Sequence, residues 1–224
     1  GTMTGGGTTR LAAAAELTVG GSQRKTLGNR RIQNEGTVID AQTAGGYVEL
    51  DGSGVLDNAG LFDLRSDEKW EEHFFAAGTL TLNNSGTLRK SLGAGDFQFL
   101  NTALNNTGTV DVQTGRLAFG GDGGVSTGNF TTAAGTAIVF QTGTQTWQSG
   151  AKASGSGAIE LGSLGIAVGT LAVEGSAEAN RLDIIAGTLT GAGTLTLTGL
   201  GSQWLGGTMT GGGTTRLAAA AELT

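Results

Sequence analysis

The densest cluster of ionisable side chains lies in residues 63–74, DLRSDEKWEEHF, which include the only histidine of the chain, His73. A histidine beside carboxylates is typical of a metal site. Adjacent residues rarely converge on one ion, however, and the sequence has no second histidine and no cysteine. We therefore expect no metal here. We interpret the segment as a solvated loop that carries a candidate contact patch, formed by Trp70, Glu71, Glu72, His73 and Phe74.

Three further carboxylates, Asp111, Asp122 and Glu160, are the nearest candidates for acid–base chemistry. Paired carboxylates cleave glycosidic bonds when two of them face one another across a groove. No motif links these three, and the glycine runs lack the strand and helix context of a phosphate-binding loop. Isolated Asp-Gly stretches at residues 93–97 and 120–124 are interpreted as turns rather than calcium loops. We expect no catalytic residue, no cofactor and no enzyme activity.

The charge balance bears on the partners of the chain. The formal net charge is −6 and the isoelectric point is about 4.7, which argues against nucleic acid as a partner. We expect the basic cluster of Arg24, Lys25, Arg30 and Arg31 to pair with the acidic segment 63–74 of a neighbouring coil or chain. No apolar run approaches the roughly 20 residues that span a bilayer, so we expect no transmembrane segment.

Composition indicates the kind of elements that hold these residues. The 224 residues include 43 glycines and no proline, and 38% are hydrophobic. This mixture favours short β-strands separated by tight turns. Residues 11–17, LAAAAEL, contain good helix formers, but the flanking glycines favour a strand followed by a turn.

The start of the chain recurs without change at its end. The segment GTMTGGGTTRLAAAAELT occupies residues 1–18 and again residues 207–224, an offset of 206. Identity over this length indicates a tandem array of one structural unit. We predict one module over residues 1–206 and the start of the next identical module over residues 207–224. Neighbouring modules of the same chain are then the expected partners.

A shorter repeat lies inside this module, in the segments IQNEGTV, LDNAGLF, LNNSGTL and LNNTGTV. Their asparagines stand at positions 34, 58, 84 and 106, which gives steps of 24, 26 and 22, and Asn129 follows in a degraded copy. Such a step accommodates three short strands and three turns, which is one coil of a parallel β-helix. Stacked asparagines can then bond to one another, and we expect the glycine two positions later to supply a positive-φ corner. The predicted ladder comprises Asn34, Gly36, Asn58, Gly60, Asn84, Gly86, Asn106 and Gly108.

The sequence therefore predicts an all-β parallel β-helix, or β-solenoid, of about 22–26 residues per coil and roughly nine coils per module. Alternating segments such as GTLTL and GTVDVQ fit its short strands. The alternative is an antiparallel sandwich, which needs longer strands and polar hairpin loops. Eight residues are expected to point inward: Leu80, Leu82, Val110, Val112, Leu171, Val173, Leu195 and Leu197.

The runs LNNSGTLRKSLGAGDFQF, LNNTGTVDVQTGRLAF and WLGGTMTGGGTTRLAAAAEL resemble the repeats of giant bacterial surface proteins. The chain is similar in style to filamentous-haemagglutinin-like and autotransporter-type β-helical adhesins. The resemblance implies an exported, cell-surface rod, fibre or adhesin stalk, with lateral self-association and surface glycans as further partners. Two alternatives stay open. One is a carbohydrate-binding or polysaccharide-cleaving β-helix, and the other is ice binding by Thr-x-Thr pairs.

Overall fold

A computed structural model describes residues 1–72, 78–163 and 168–224 of the chain. It confirms the predicted fold class, since these residues form a parallel β-solenoid of about nine turns with no helix. None of the described residues forms a helix that is long and apolar enough to cross a membrane.

Twenty-nine strands lie in the described part of the chain. The first eighteen are β1 (Thr2–Thr4), β2 (Thr8–Leu11), β3 (Glu16–Gly21), β4 (Lys25–Gly28), β5 (Arg31–Asn34), β6 (Thr37–Gln42), β7 (Tyr47–Leu50), β8 (Ser53–Asn58), β9 (Leu61–Leu64), β10 (Lys69–Glu72), β11 (Thr79–Asn84), β12 (Thr87–Lys90), β13 (Asp96–Phe99), β14 (Thr102–Asn106), β15 (Thr109–Val112), β16 (Arg116–Gly120), β17 (Gly124–Ser126) and β18 (Asn129–Thr132). The remaining eleven are β19 (Ala137–Trp147), β20 (Lys152–Gly155), β21 (Ala158–Leu161), β22 (Gly169–Val173), β23 (Ser176–Ala179), β24 (Leu182–Ile184), β25 (Thr188–Thr190), β26 (Thr194–Leu197), β27 (Gln203–Trp204), β28 (Thr208–Met209) and β29 (Thr214–Leu217).

The strands form three faces in strict rotation, and every pair is parallel. Face 1 begins with β1 and β4, face 2 with β2 and β5, and face 3 with β3 and β6. The long strand β19 serves two faces, because its first part pairs with β16 on face 1 and its second part with β17 on face 2. Face 3 ends at β29 and contains ten strands. At about 4.8 Å per strand, the stack is about 43 Å long.

Coil length varies along the stack. On face 3, Leu61 and Thr87 are stacked partners and the step between them is 26. The step between the stacked partners Ala177 and Leu195 is only 18. The short coils lie in the second half of the chain, where no Asn-x-Gly motif marks the period. The predicted coil length therefore describes the asparagine-bearing coils, and some of the later coils are shorter.

The core is a continuous apolar column inside the three faces. All eight residues predicted to point inward are buried, as the alternation of strand side chains requires. An aromatic stack lies in the core, with ring centroids 5.6–6.4 Å apart along face 1. Its members are Trp70, Phe99, Phe119 and Phe140.

The alanine-rich segment near the start of the chain forms a strand and a turn, as expected from its flanking glycines. Strand β2 ends at Leu11, and β3 begins at Glu16. Between them, the amide of Ala15 donates to the carbonyl of Ala12 at 2.8 Å and closes the turn.

Candidate functional site

The structure places the four motif asparagines in one buried column. Each ends a strand of face 2, and the side-chain amides of the first three donate to the next side-chain oxygen at 2.7–2.8 Å. The same Nδ2 groups donate at 2.9 Å to backbone carbonyls at the start of face 3 in the coil above. The column therefore satisfies corner backbone groups that water cannot reach. Its members are Asn34, Asn58, Asn84 and Asn106.

The glycines of the motif have a different role from the one predicted. The expectation of a positive φ is wrong, because none of the four has one. Instead, a Cβ at each of them would lie 2.1–2.2 Å from a carbonyl oxygen of the coil below. Glycine is needed there because two backbones approach too closely for any side chain. These residues are Gly36, Gly60, Gly86 and Gly108.

The asparagine column ends where its position is taken by other residue types. Leu11 lies below Asn34, and Ser126 lies above Asn106. Trp147 follows above Ser126. Asn129 is not a fifth member, since it begins β18 on face 3. Its backbone carbonyl accepts the amide of Asn106 at 3.1 Å, as the carbonyls of Leu61, Thr87 and Thr109 accept the amides of the other members.

A second polar column runs on the outside of face 2 and was not predicted. Asn83 donates to Asp57 at 2.8 Å, and Asn105 donates to Asn83 at 2.9 Å. The oxygen of Asn105 accepts the amide of Val125 at 3.0 Å. The signal in the sequence is the doublet Asp-Asn or Asn-Asn, because adjacent strand residues point to opposite sides of the sheet.

The structure places the members of the candidate contact patch in different environments. Trp70 is 1% exposed and packs in the core, so its assignment to a contact surface is wrong. Strand alternation turns it inward between two outward residues. Glu71 pairs with Lys69 at 2.7 Å, and Glu72 accepts a hydrogen bond from Asn101. The remaining two members of the patch, His73 and Phe74, lie outside the described residues.

Trp70 faces inward above a buried carboxylate. Its Nε1 donates to Asp40 at 2.9 Å, and Ser66 and Gln42 donate to the same carboxylate at 2.8 and 2.9 Å. Burial raises the pKa of Asp40 and outweighs these hydrogen bonds, which lower it.

A buried lysine lies two coils above this carboxylate on the same inward column of face 3. Lys90 is fully buried, and its ammonium donates to Asp67 at 2.6 Å and to the carbonyls of Ser66 and Leu92 at 3.2 and 2.9 Å. The lysine therefore ties the turn after β9 to the turn after β12. Its bonds to backbone carbonyls give it a structural role.

The three candidate carboxylates do not share a site. Asp111 lies on face 3 and accepts from Gln113 at 2.8 Å. Asp122 lies in the turn between faces 1 and 2 and accepts the amide of Thr144 at 2.7 Å. Glu160 lies on face 1 and pairs with Arg116. Each of the three is bonded to a different group of the chain, and no bond joins two of them among the described residues.

The basic residues pair across coils, but not with the acidic segment. Arg24 lies 3.1 Å from Glu49, and Arg31 pairs with Asp57. Arg30 donates to the hydroxyl of Thr9. Lys25 donates to the carbonyl of Gly21 and to Gln42. Among the described residues, these four side chains therefore pair with groups outside segment 63–74, and pairing with that segment of a neighbouring chain stays a prediction.

The outer side of face 1 carries a strip of small apolar residues that are 1–4% exposed. The strip comprises Ala118, Ala137, Val139 and Ala158. Arg116 crosses it to reach Glu160 two coils above and lies 3.6 Å from Asp96 below. A groove of about 350 Å³ runs beside the strip and is also lined by Gln98 and Gln141. The Nε atom of Arg116 is buried without a partner among the described residues.

Both ends of the described stack leave the apolar core open. At the first coil, a cavity of about 410 Å³ is lined by core residues that include Met3, Leu17 and Leu27. At the last coil, a cavity of about 270 Å³ is lined by residues that include Leu189 and Met209. Four large apolar side chains of the last coils are 48–68% exposed: Leu200, Trp204, Leu205 and Leu217.

No family model, no curated protein and no solved structure matches this chain. The stacked columns and the open ends are therefore the basis for a functional interpretation. Across residues 1–72, 78–163 and 168–224, no group of three or more histidine, aspartate or glutamate side chains is placed to hold a metal ion.

Proposed function

We propose that this chain is a structural segment of an extended rod, built from tandem β-solenoid modules and used as a stalk or fibre on a bacterial cell surface. The supporting observation is the stack of parallel strands itself. Three faces continue from the first coil to the last, and the strands of each face pair with the coils above and below. Backbone hydrogen bonds along the axis make such a stack long and stiff.

The open ends support the same proposal. A solenoid coil cannot bury both of its faces alone and needs a neighbour on each side. Here the core residues Met3 and Met209 are only partly buried at the two ends. A further identical module on either side would cover them with the same kind of strands. Neighbouring modules of one chain are therefore the proposed main partners.

The cell-surface assignment rests on composition and on the resemblance to β-helical adhesins. The chain has no cysteine, so stray disulfides cannot form during export to an oxidising compartment. Its mild acidity keeps a long rod soluble. Adhesion to surface glycans is part of the proposal for the whole rod.

Electron microscopy of tandem arrays tests the proposal. Chains with two, four and six copies of the module, residues 1–206, should be straight rods of constant width. Each added module should lengthen the rod by about 45 Å, because its coils rise about 4.8 Å each. Compact particles, or rods whose length does not follow the module number, contradict the proposal.

The groove on face 1 favours a second candidate function, the binding of a saccharide along the rod. An apolar floor flanked by amide, carboxylate and guanidinium groups is the usual composition of a small-molecule groove. A glycan array probed with the chain tests this function. Arg116→Ala should abolish any signal that belongs to the groove, whereas Lys152→Ala, an exposed residue on face 3, should not. A signal that survives Arg116→Ala places binding elsewhere.

A further inference from the structure

The two identical copies, residues 1–18 and 207–224, lie on different faces of the solenoid. Strand β1 pairs with β4 on face 1, whereas its copy β28 pairs with β25 on face 2. Strand β2 pairs with β5 on face 2, whereas its copy β29 pairs with β26 on face 3. Leu17 lies on face 3, and its copy Leu223 bridges Ser202 beside face 1. All three segments are shifted by one face in the same direction.

The shift changes the face but keeps the inward and outward sides of each strand. Met3 and its copy Met209 both pack against the core. Thr9 is stacked on the inward residue Ile32, and its copy Thr215 is stacked on the inward residue Leu195. The same sequence therefore fits two faces, because both faces require the same inward alternation.

The position of the copies fixes the phase of the repeat. Counting the two parts of β19 as two positions, the step from β1 to β28 covers 28 strand positions in a three-position cycle. One module, residues 1–206, is thus nine coils and one third of a coil. A whole number of coils would have returned β28 to face 1.

We propose that successive modules of the rod are rotated by one third of a turn about the rod axis. This inference rests on the proposed function, since only a tandem array contains further modules to rotate. Every outward feature, such as the groove on face 1, then recurs on the next face in the next module. Three modules complete the cycle over about 130 Å.

The rotation determines how the rod meets its partners. A flat surface or a second rod that lies along one side contacts the same face of only every third module. Identical features instead point in three directions around the axis, one for each module of the cycle. The arrangement fits ligands dispersed around a single rod, and it opposes the packing of rods into flat sheets through one face.

Engineered disulfides test the face assignment in the chain itself, which contains no cysteine. Residues stacked on adjacent parallel strands are close enough for a disulfide. The pair Thr196→Cys with Arg216→Cys joins stacked residues of face 3. The pair Thr190→Cys with Arg216→Cys joins residues that would be stacked only if the second copy lay on face 2. Free thiols are counted by maleimide labelling after mild oxidation.

The rotation predicts loss of labelling for the first pair and full labelling for the second. Two control pairs should also close, Arg10→Cys with Gln33→Cys in the first copy and Thr87→Cys with Thr109→Cys in the middle of face 3. Closure of the second pair overturns the proposal, and so does closure of the controls without either test pair. The array lengths measured by microscopy do not depend on this result, so the two proposals fail independently.

Discussion

The lower half of the solenoid, up to Asn106, and the upper half, from Ser126 onward, close the same corner in different ways. In the lower half, the corner after face 2 is held by Asn34, Asn58, Asn84 and Asn106. In the upper half, the same column holds Ser126, Trp147 and Val173, and the last two of these are large and apolar. The strands nevertheless stay parallel and stacked across both halves. Coil stacking therefore does not depend on one side-chain chemistry.

The two halves differ in what a substitution removes. In the lower half, each asparagine bonds to groups above and below, so one change leaves several buried polar groups without partners. In the upper half, a change at Trp147 or Val173 removes packing alone, and Ser126 accepts a single side-chain hydrogen bond, from Gln145. The tryptophans show the same contrast, since Trp70 donates to Asp40. The Nε1 of Trp147 has no partner among the residues that the structure describes.

The largest effect is expected from Asn84→Leu in the middle of the asparagine column. The change removes a donor and an acceptor and leaves Asn58, Asn106 and the carbonyl of Thr109 without their partner. Since each orphaned group costs about 1–3 kcal/mol, the free energy of unfolding should fall by about 3–5 kcal/mol. Urea denaturation followed by circular dichroism measures it. The matched control is Ser126→Ala, two coils higher in the same column, which should cost about 1 kcal/mol. Equal losses for the two variants would remove the contrast between the halves.

The next largest effect is expected from Gly86→Ala. Its Cβ would lie 2.2 Å from the carbonyl oxygen of Gly60, although its φ is not positive. Forcing two coils apart should cost about 3 kcal/mol. Gly45→Ala is the control, because that residue has a φ of 85° and open space around it. It should cost about 1 kcal/mol from backbone strain alone. A larger cost for Gly45→Ala than for Gly86→Ala in thermal denaturation would contradict the close-approach role of Gly86.

Acid should weaken the lower half through Asp63. Burial alone would raise the pKa of Asp63, but hydrogen bonds from Arg89, Ser91 and Arg65 outweigh burial and lower it to about 2. Because the folded pKa lies below the unfolded value of 3.8, the ionised carboxylate stabilises the fold above about pH 4, and this stability is lost as the pH falls toward 2. The loss should be about 1–2 kcal/mol.

Asp40 acts in the opposite direction. Its raised pKa stabilises the fold at low pH, and this contribution is lost as the pH rises through the folded value. Asp63→Asn should therefore flatten the acid limb of the stability profile, measured by urea denaturation from pH 5 to pH 2. An unchanged acid limb in this variant would show that Asp63 does not carry the loss.

A difference of similar size is expected between Trp70→Phe and Trp147→Phe. Both changes remove similar volume from the core. Only the first takes a hydrogen-bond donor from Asp40, so Trp70→Phe should be less stable than Trp147→Phe by about 1–2 kcal/mol. Differential scanning calorimetry of the two variants measures the gap. Equal melting temperatures would mean that the bond to Asp40 contributes nothing.

Much of the fold could be predicted because every coil of the stack places the same physical requirements on the residues at equivalent positions. The Asn-x-Gly spacing gave the coil length in the lower half, and strand alternation identified inward residues such as Leu82 and Val110. The upper half was predictable only as strands, since no residue type recurs there at a fixed step. The division of the chain into modules at residue 206 stays a prediction.

The candidate site was less predictable, since neighbours in the stack are distant in the sequence. Trp70 resembles a surface residue because charged residues surround it, yet alternation turns it inward. The apolar strip on face 1 was missed because Ala118 and Val139 occupy outward positions. The way in which Arg116 crosses this strip cannot be inferred from the sequence of a single coil. The role of Gly86 was misjudged, because the carbonyl it approaches belongs to Gly60 in the previous coil.

The chain stacks coil upon coil, and in the lower half the stacked asparagines form one buried column. Nuclear magnetic resonance of the side-chain amides tests this stacking most directly. The side-chain amide of Asn84 should show Overhauser contacts to those of Asn58 and Asn106, which belong to the coils below and above it. Slow solvent exchange is also expected at all three. Rapid exchange without such contacts would contradict the stacking.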